Sequence, residues 1–325
     1  MPVILRYLNP TANKALHLEH LRNATIGGAM AGSLKTAGIN VQREALIADT
    51  GMCMAETCLA KMASSGSTAV KYDQFIGELY SGFHAGKISR DAIRRSAEKC
   101  GVPSDPGFFA LGLNQPDSFE SQYARSMRDG VMAAQAETLA SLGVAFDHVH
   151  YESDEIAHCE SLLDNLRSTE TQRGWLSTQR LRLDNGHIIS LYDAPNVPSE
   201  NLLLLSYVYR QLLVSEYDVI VPIAGREWRN HLSGYATLLG NAFPSLRSDR
   251  YSPLYTGHVT HRGQKLSSKI GPMILVDSTY EALLADIGEK FPLLDNHAMA
   301  SVDGEYSGEG AISCCTYSRR HGCRS

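Results

Sequence analysis

Short apolar segments alternate with a helical pattern at the start of the chain. Pro2 to Leu8 is mostly apolar and ends at Asn9-Pro10, which predicts a buried strand that runs into a loop. From His17 to Thr36 the apolar positions recur at helical spacing, and Val41 to Ala48 favours a second strand. Because α/β units begin as strand, helix and strand, this pattern predicts an α/β fold.

The pattern changes after about residue 60. Residues 61–125 are helix-prone but are interrupted by Gly and Pro, which predicts a helical insertion between two halves of a sheet. A helical pattern from Met127 to Leu142 and a strand from Phe146 to Tyr151 then return to the α/β order.

The second half of the predicted sheet follows. Later strands are expected at Asp218 to Ala224 and Pro253 to Val259, and helices at Trp228 to Leu239 and Ser278 to Ile287. Residues 291–325 are rich in Gly, Ser and Cys and predict an irregular tail.

Composition favours a soluble protein without a strongly basic field. Thirty Lys and Arg against 35 Asp and Glu give a net charge of −5, so nothing indicates a general nucleic-acid binder, although a local patch stays open. The sequence has no secretion leader and no apolar run that could span a bilayer, so we expect a cytoplasmic protein with no membrane contact. Its seven cysteines lack metal-binding spacing, so we expect reduced thiols and no metal site.

The first candidate motif lies between Pro10 and Asn23 and reads PTANKALHLEHLRN. His17 and His20 fall in the first turn of the predicted helix, where free backbone N–H groups and the helix dipole favour anions. Histidine donors there could stabilise charge that develops on a phosphate. Two histidines at a helix start are also common as plain surface residues.

The second candidate motif lies between Arg262 and Gly271 and reads RGQKLSSKIG. Lys265 and Lys269 are four residues apart in a loop of small polar residues, which suits a cationic clamp for pyrophosphate. Taken alone, such a segment is more often a solvated loop.

Together, in this order, the two motifs resemble the paired signatures of class I aminoacyl-tRNA synthetases, and in detail those of arginyl-tRNA synthetases. Similar segments occur in order across roughly residues 3 to 290: PTANKALHLEHLRNATIGGAMA, LASLGVAFDHVHYES, VIVPIAGREWRNHLSGYATLLG and KLSSKIGPMILVDSTYEAL. The resemblance implies a Rossmann-like doubly wound parallel sheet. Residues 1–60 and 126–290 would form the two halves of a nucleotide-binding catalytic domain around the helical insertion at 61–125.

The resemblance also implies site residues and cofactors. His17 and His20 would stabilise the transition state of amino-acid adenylation, and Lys265 and Lys269 would hold the pyrophosphate, with ATP and Mg²⁺ as cofactors. Other ATP-binding positions would be Lys14, Arg22, Gly225, Glu227, Ser267 and Ser268. Substrate-binding positions would be Asn9, Thr11, Glu152, Ser190, Ala194 and Trp228. Glu152 would contact a guanidinium group, its alternative being a surface charge.

Several of these positions depart from the family pattern. Glu19 stands where the family has a glycine that lets adenine approach, and Thr11 replaces an asparagine. The tyrosine and aspartate that would hold a guanidinium fall on Ser190 and Ala194; Tyr192 and Asp193 substitute only if the alignment shifts by one or two residues. Trp228 stands where a glutamine lines the amino-acid site.

These departures make arginine a doubtful substrate, because each lost charged hydrogen bond costs about 1.5–3 kcal/mol. Trp228 with Ala194 favours a more apolar amino acid such as leucine. From the given sequence we expect the family's anticodon-binding and N-terminal domains to be absent.

Three functions remain open from the sequence. The first is an enzyme of specialised (natural-product, for instance antibiotic) biosynthesis. It would form an aminoacyl adenylate, or use aminoacyl-tRNA, and transfer the aminoacyl group to a small-molecule acceptor with an amine or guanidine. The second is a truncated ligase that charges tRNA through its acceptor end. The third is a non-catalytic protein that binds an amino acid or tRNA, with Glu19 as its main support.

Overall fold

The protein is described from a computed structural model, which covers residues 2–64, 66, 70–169, 176–214, 216–257, 259–261, 264, 265 and 274–290. The helices are α1 (Leu18–Thr36), α2 (Gly51–Ala63), α3 (Tyr72–His84), α4 (Arg90–Cys100), α5 (Pro106–Leu113), α6 (Phe119–Ser141), α7 (Ile156–Ser168), α8 (Glu200–Val214), α9 (Arg229–Ala242) and α10 (Val276–Lys290). The strands are β1 (Val3–Leu8), β2 (Val41–Ile47), β3 (His148–Tyr151), β4 (Arg180–Arg182), β5 (Ile188–Ser190), β6 (Tyr192–Ala194), β7 (Val197–Pro198), β8 (Val219–Gly225), β9 (Leu254–Thr256), β10 (Thr260–His261) and β11 (Gln264–Lys265).

The main sheet has the strand order β3-β2-β1-β8-β9. Each neighbouring pair is parallel, and β1 pairs with β2 on one edge and with β8 on the other. The order reverses at β1, so the carboxyl ends of β1 and β8 border the crevice in which open α/β sheets bind ligands. The predicted fold class, a Rossmann-like parallel sheet with helices around it, is confirmed.

Both faces of the sheet are covered because side chains alternate along β1. Ile4 belongs to a core formed largely with α7, α8 and α9, whereas Leu5 and Tyr7 belong to a core on the side of α1. All six residues of β1 are buried, as expected for a central parallel strand.

The region of the predicted insertion is helical in its described residues. Helices α3, α4 and α5 lie within residues 61–125, while α2 and α6 each continue across one of the predicted boundaries. The division into domains therefore stays a prediction. The pattern did not predict α7 or α8; α8 is buried from Leu202 to Val208 and so lacks the one-sided periodicity of a surface helix.

The described helices include none with the length and apolar character needed to cross a bilayer. Cys53, Cys58, Cys100 and Cys159 are free thiols. Residues 291–325, including the cysteines at 314, 315 and 323, lie outside the described part of the chain.

Helix α1 packs against β1 through Gly27. A β-carbon at this position would overlap the ring of Tyr7, whereas nothing lies within 4 Å of a β-carbon built at Gly28. Gly27→Ala should therefore lower the free energy of unfolding by about 1–3 kcal/mol through overpacking. Gly28→Ala should raise it by up to about 1 kcal/mol, because alanine is the better helix former.

Urea denaturation of the two variants beside the wild type measures both changes. Equal or greater stability of Gly27→Ala would contradict the close approach of α1 to the sheet.

Candidate functional site

A cavity opens at the carboxyl ends of β1, β2 and β3. It encloses about 480 Å³, counting its opening to solvent. Its polar lining comes from the loops after these strands and from the segment that leads into α8, and includes Thr11, Asn13, Thr50, Glu152, Asp193 and Glu200. The cavity thus lies where α/β folds bind small molecules.

Three carboxylates face this cavity. Glu152 follows β3 directly and is 5% exposed, whereas Asp193 and Glu200 are exposed to solvent. None of the three makes a hydrogen bond or ion pair with another described residue. Burial, then the charges of Glu200 and Asp49, raises the pKa of Glu152 well above its ordinary value. Although both side chains reach solvent, the protein packed around them raises the pKa of Asp193 and of Glu200; for Glu200 the charge of Asp193 adds to this and that of Lys14 opposes it.

Neutral polar atoms of the cavity also lack partners. Thr11 Oγ1, Asn13 Oδ1 and Thr50 Oγ1 are buried and have no hydrogen-bond partner among the described residues. The Asn13 amide nitrogen donates to Thr57 Oγ1 at 3.2 Å, which directs its oxygen away from that contact. The cavity therefore offers many acceptors and suits a ligand rich in N–H donors.

The acceptors of this cavity suit an organic cation. Within the described ranges, no three His, Cys, Asp or Glu side chains are close enough together to hold a metal. An ammonium or guanidinium group is larger and can hydrogen-bond to carboxylates that lie further apart.

The two histidines of the first motif lie together at the start of α1. His17 is the residue before the helix, and its backbone N–H donates to His20 Nδ1 at 3.2 Å. The ring centroids are 4.0 Å apart. Burial, with the charges of Lys14 and Arg22, lowers the pKa of His17 to about 4; burial and His17 hold the pKa of His20 well below its ordinary value. Both rings are therefore neutral at pH 7.

Lys14 lies between the histidines and the acidic cavity. Its charge lowers the pKa of His17 and His20 and also that of Glu200. Its backbone is fixed from α6, because the Gln135 side chain donates to the carbonyl oxygens of Thr11 and Lys14 at 3.1 and 2.7 Å. This loop therefore connects the cavity to the helix start.

Arg22 and the segment after β8 border the other side of the crevice. The Arg22 guanidinium donates to the carbonyl of Gly257, which ties α1 to the residues after β9. The Glu227 carboxylate folds back over Gly225, where a β-carbon would overlap it. The predicted ATP-binding role of these residues stays a prediction.

Most of the second motif lies outside the described residues. This applies to Ser267, Ser268 and Lys269, and for Lys265 only the backbone, in β11, is described. The residues after the motif contact the first motif directly: His17 pairs with Leu275, and Val276 donates its backbone N–H to Leu16 at 3.0 Å. Leu275 and Val276, which follow the second motif in sequence, therefore lie beside the first motif.

Glu19 lies in the first turn of α1, between the two histidines in sequence. It is half-buried, and its Oε1 atom is buried without a hydrogen-bond partner in the described structure. The replacement of the family's glycine by Glu19 therefore also places a carboxylate at the start of α1.

Several predicted substrate positions do not line the cavity. Ser190 donates its hydroxyl to the backbone of Tyr192, Ala194 lies against Gly107 of α5, and Trp228 packs beside His231. Asn9 is exposed and is also absent from the lining. Of the predicted set, Thr11 and Glu152 do line it. Ala194 and Trp228, from which an apolar pocket was inferred, are not part of this lining, which combines Met52, Met54, Pro198 and Leu203 with the polar groups.

The structure adds residues that sequence reasoning missed. Asp193 lines the cavity although the unshifted alignment gave that role to its neighbour Ala194. Glu200 and Thr50 belong to no motif, and Asn13 lies in the first motif without having been given a role; their positions after strands or at the start of α8 bring them together.

Comparisons with known proteins agree with the motifs. No protein-family model matches the chain. It is 25% identical over 264 residues to the arginine–tRNA ligase of Bacteroides thetaiotaomicron, covering 73% of this chain and 42% of that protein. It is 26% identical over 202 residues to the arginine–tRNA ligase of Deinococcus radiodurans, covering 60% and 30%. The chain thus spans less than half the length of these relatives.

Solved structures show the same fold. Arginyl-tRNA synthetase of Thermus thermophilus matches with a TM-score of 0.67 at 18% identity, over 90% of this chain and 54% of that one. The Plasmodium falciparum enzyme matches with a TM-score of 0.61 at 14% identity, over 93% and 50%. The resemblance to the catalytic domain of arginyl-tRNA synthetases, predicted from the two motifs, is confirmed in sequence and in fold.

The unpartnered carboxylate of Glu152 should cost folding stability. Its raised pKa means that ionisation disfavours the folded state, so Glu152→Gln should stabilise the protein at pH 7 by about 1–3 kcal/mol. Below pH 4.5, the ordinary value, both states are protonated and the gain should vanish. Urea midpoints at pH 4 and pH 7 measure the difference.

Glu44 supplies the matched control. It is 1% exposed, but Tyr207 Oη and Gln211 Nε2 donate to it at 3.0 and 3.3 Å. Burial acts to raise its pKa, but hydrogen bonds, chiefly from His150, lower it on balance. Glu44→Gln should therefore destabilise at pH 7 and do so less as pH falls below 4.5. Equal effects of the two substitutions would refute the assignment of Glu152 as uncompensated.

Proposed function

We propose that the protein activates an amino acid with a cationic side chain at the expense of ATP. The amino-acid carboxylate attacks the α-phosphate, an aminoacyl adenylate forms, and pyrophosphate leaves. The observation that carries the proposal is the cavity of unpaired carboxylates beside a helix start with two neutral histidines. Its similarity to arginine–tRNA ligases supports the same class of reaction.

The acidic cavity determines the substrate class. A guanidinium or ammonium group at Glu152 would supply the donors that this carboxylate lacks, and Asp193 and Glu200 add charge at the opening. This proposal replaces the apolar amino acid expected from the sequence, because Trp228 and Ala194 are not part of the lining.

The start of α1 would receive the α-phosphate. Charge grows on its oxygens as the carboxylate attacks, and His17 is a neutral ring held against His20, whose Nδ1 accepts the His17 backbone N–H and whose ring also bonds to the backbone of Asn9. Donors preorganised in this way stabilise the transition state without reorganisation. Lys14 carries positive charge to the same place and its backbone is anchored by Gln135.

Mg²⁺ would enter with the nucleotide, since it prefers phosphate oxygens and water and there neutralises the departing pyrophosphate. The described residues give it no cluster of three acidic, His or Cys ligands. The predicted pyrophosphate clamp, Lys265 and Lys269, is part of this proposal.

Once the adenylate has formed, its aminoacyl group would pass to an acceptor. A small-molecule amine or guanidine and the acceptor end of tRNA are both compatible with the chemistry up to that point.

ATP–pyrophosphate exchange across the twenty amino acids, with and without tRNA, tests the function. Arginine or lysine should support exchange and leucine should not, because only a cation compensates the cavity. His17→Ala should reduce exchange about 100- to 1,000-fold, the usual loss for one preorganised donor. His148→Ala is the control, since His148 is exposed on β3.

Exchange with leucine alone would overturn the cationic substrate class. Absence of exchange with every amino acid, with tRNA present, would overturn adenylation and favour the non-catalytic alternative that Glu19 supports.

ATP binding should take up protons. The pKa of His17 is lowered to about 4 in the ligand-free protein, and polyphosphate at the same place favours the charged imidazole and raises it. At a pH between about 4 and the ordinary value of 6.5, binding should therefore protonate the ring. Calorimetric titrations in two buffers with different ionisation enthalpies measure the uptake. A buffer-independent enthalpy, or an unchanged uptake in His17→Ala, would contradict it.

A further inference from the structure

We propose that the ion pair of Asp49 with Arg128 is a positioning device that aims Glu152 into the cavity, so that substrate affinity depends on helix α6. The inference rests on the proposed function for its kinetic consequence. Its structural part concerns Glu152 alone and can be tested without catalysis.

Asp49 holds the residue that follows Glu152. It lies just after β2 and is 6% exposed. Its Oδ1 accepts the backbone N–H of Ser153 at 2.9 Å, and its Oδ2 accepts the Ser153 hydroxyl at 2.8 Å. Two bonds to one residue fix the peptide plane immediately after Glu152.

Arg128 holds the residue that precedes Glu152. From α6 its Nη1 donates to Asp49 Oδ2 at 2.9 Å, and its guanidinium lies over the Tyr151 ring, 4.3 Å from the centroid. The pair therefore contacts both neighbours of Glu152 while making no hydrogen bond to Glu152 itself.

Such a clamp is needed because no described residue donates a hydrogen bond to Glu152. Burial and the charges of Glu200, Asp49 and Asp193 disfavour its ionised form and outweigh the opposing charge of Arg6, so an unconstrained side chain would turn toward solvent. Fixing the backbone on both sides sets the direction of the Cα–Cβ bond and so limits where the side chain can reach. Arg128 pairs with Asp49, whereas the charge of Arg6 compensates that of Glu152 only in part.

Arg128→Lys is the informative change. Lysine keeps a charge beside Asp49, so the fold is retained, but it loses the planar fork and the stacking on Tyr151. The Michaelis constant for the cationic amino acid should rise roughly tenfold, with kcat and the Michaelis constant for ATP within about twofold. In the Glu152→Gln background the same change should have no further effect on the Michaelis constant.

Arg43→Lys is the matched control. Arg43 of β2 forms a bidentate pair with Asp147, just before β3, at the opposite end of the same two strands. It joins the strands in a comparable way but is remote from Glu152, so the kinetic constants should not change.

The second measurement uses no substrate. If Arg128 holds Glu152 in the cavity, the gain in urea midpoint caused by Glu152→Gln should be smaller in Arg128→Lys than in the wild type, because an unclamped carboxylate escapes to solvent. An equal gain in both backgrounds overturns the positioning role, whether or not the protein adenylates. An equal loss of affinity from Arg43→Lys would also overturn it. A reduced gain in a protein without exchange activity would retain the clamp and refute the proposed function instead.

Discussion

Strand β1 is hydrogen-bonded on both edges and buried over its whole length, and the geometry of the site depends on where it ends. Because its partners are parallel, β1, β2 and β8 all deliver their following loops to one edge of the sheet. The loop after β1 is held again at Ala48, whose backbone bonds with Pro10 and Ala12 at 3.0 and 2.9 Å. Thr11 and Asn13 thereby reach the cavity, and four residues further on His17 reaches the start of α1.

The sequence predicted those features that follow from periodicity or from contiguous motifs. The strands β1, β2 and β8 were predicted as short, mainly apolar segments and the helices α1 and α9 from helical spacing, all within a few residues of their ends. His17 and His20 share one turn of helix, so their proximity follows from spacing alone. Helix α8 was missed because it is apolar on nearly every side, and the short pairs β4–β5 and β6–β7 because two or three residues carry no period.

The acidic cavity was not predictable in the same way. Glu152 follows β3, Asp193 lies in β6 and Glu200 begins α8. About 40 residues separate Glu152 from the other two, and no spacing rule connects the three. The alignment pointed to Ser190 and Ala194, but the short strand β6 is irregular in register between Tyr192 and Ala194, and Asp193 faces the cavity between them. A one-residue change in a strand reverses the side on which a residue lies, so a one-residue shift of the alignment exchanges Ala194 for Asp193 and an apolar for a cationic inferred substrate class.

The chain contains two buried carboxylates, Glu44 and Glu152, whose surroundings differ, and the difference bears on function. Glu44 is surrounded by donors from α8 and β3 and has a lowered pKa, as a structural group should. Glu152 is buried to a similar degree, receives no hydrogen bond from the described residues, and is flanked by the Asp49–Arg128 pair that fixes its neighbours. A fold that can satisfy one carboxylate completely has the means to satisfy the other. Leaving Glu152 unsatisfied costs stability, and a cationic ligand that binds only the folded state would return stability that grows with the logarithm of its concentration. The same reasoning applies to Glu19, whose buried Oε1 has no hydrogen-bond partner among the described residues at the helix start. A hydrogen-bond donor on the bound nucleotide would satisfy this oxygen and would give the replacement of the family's glycine by Glu19 a function.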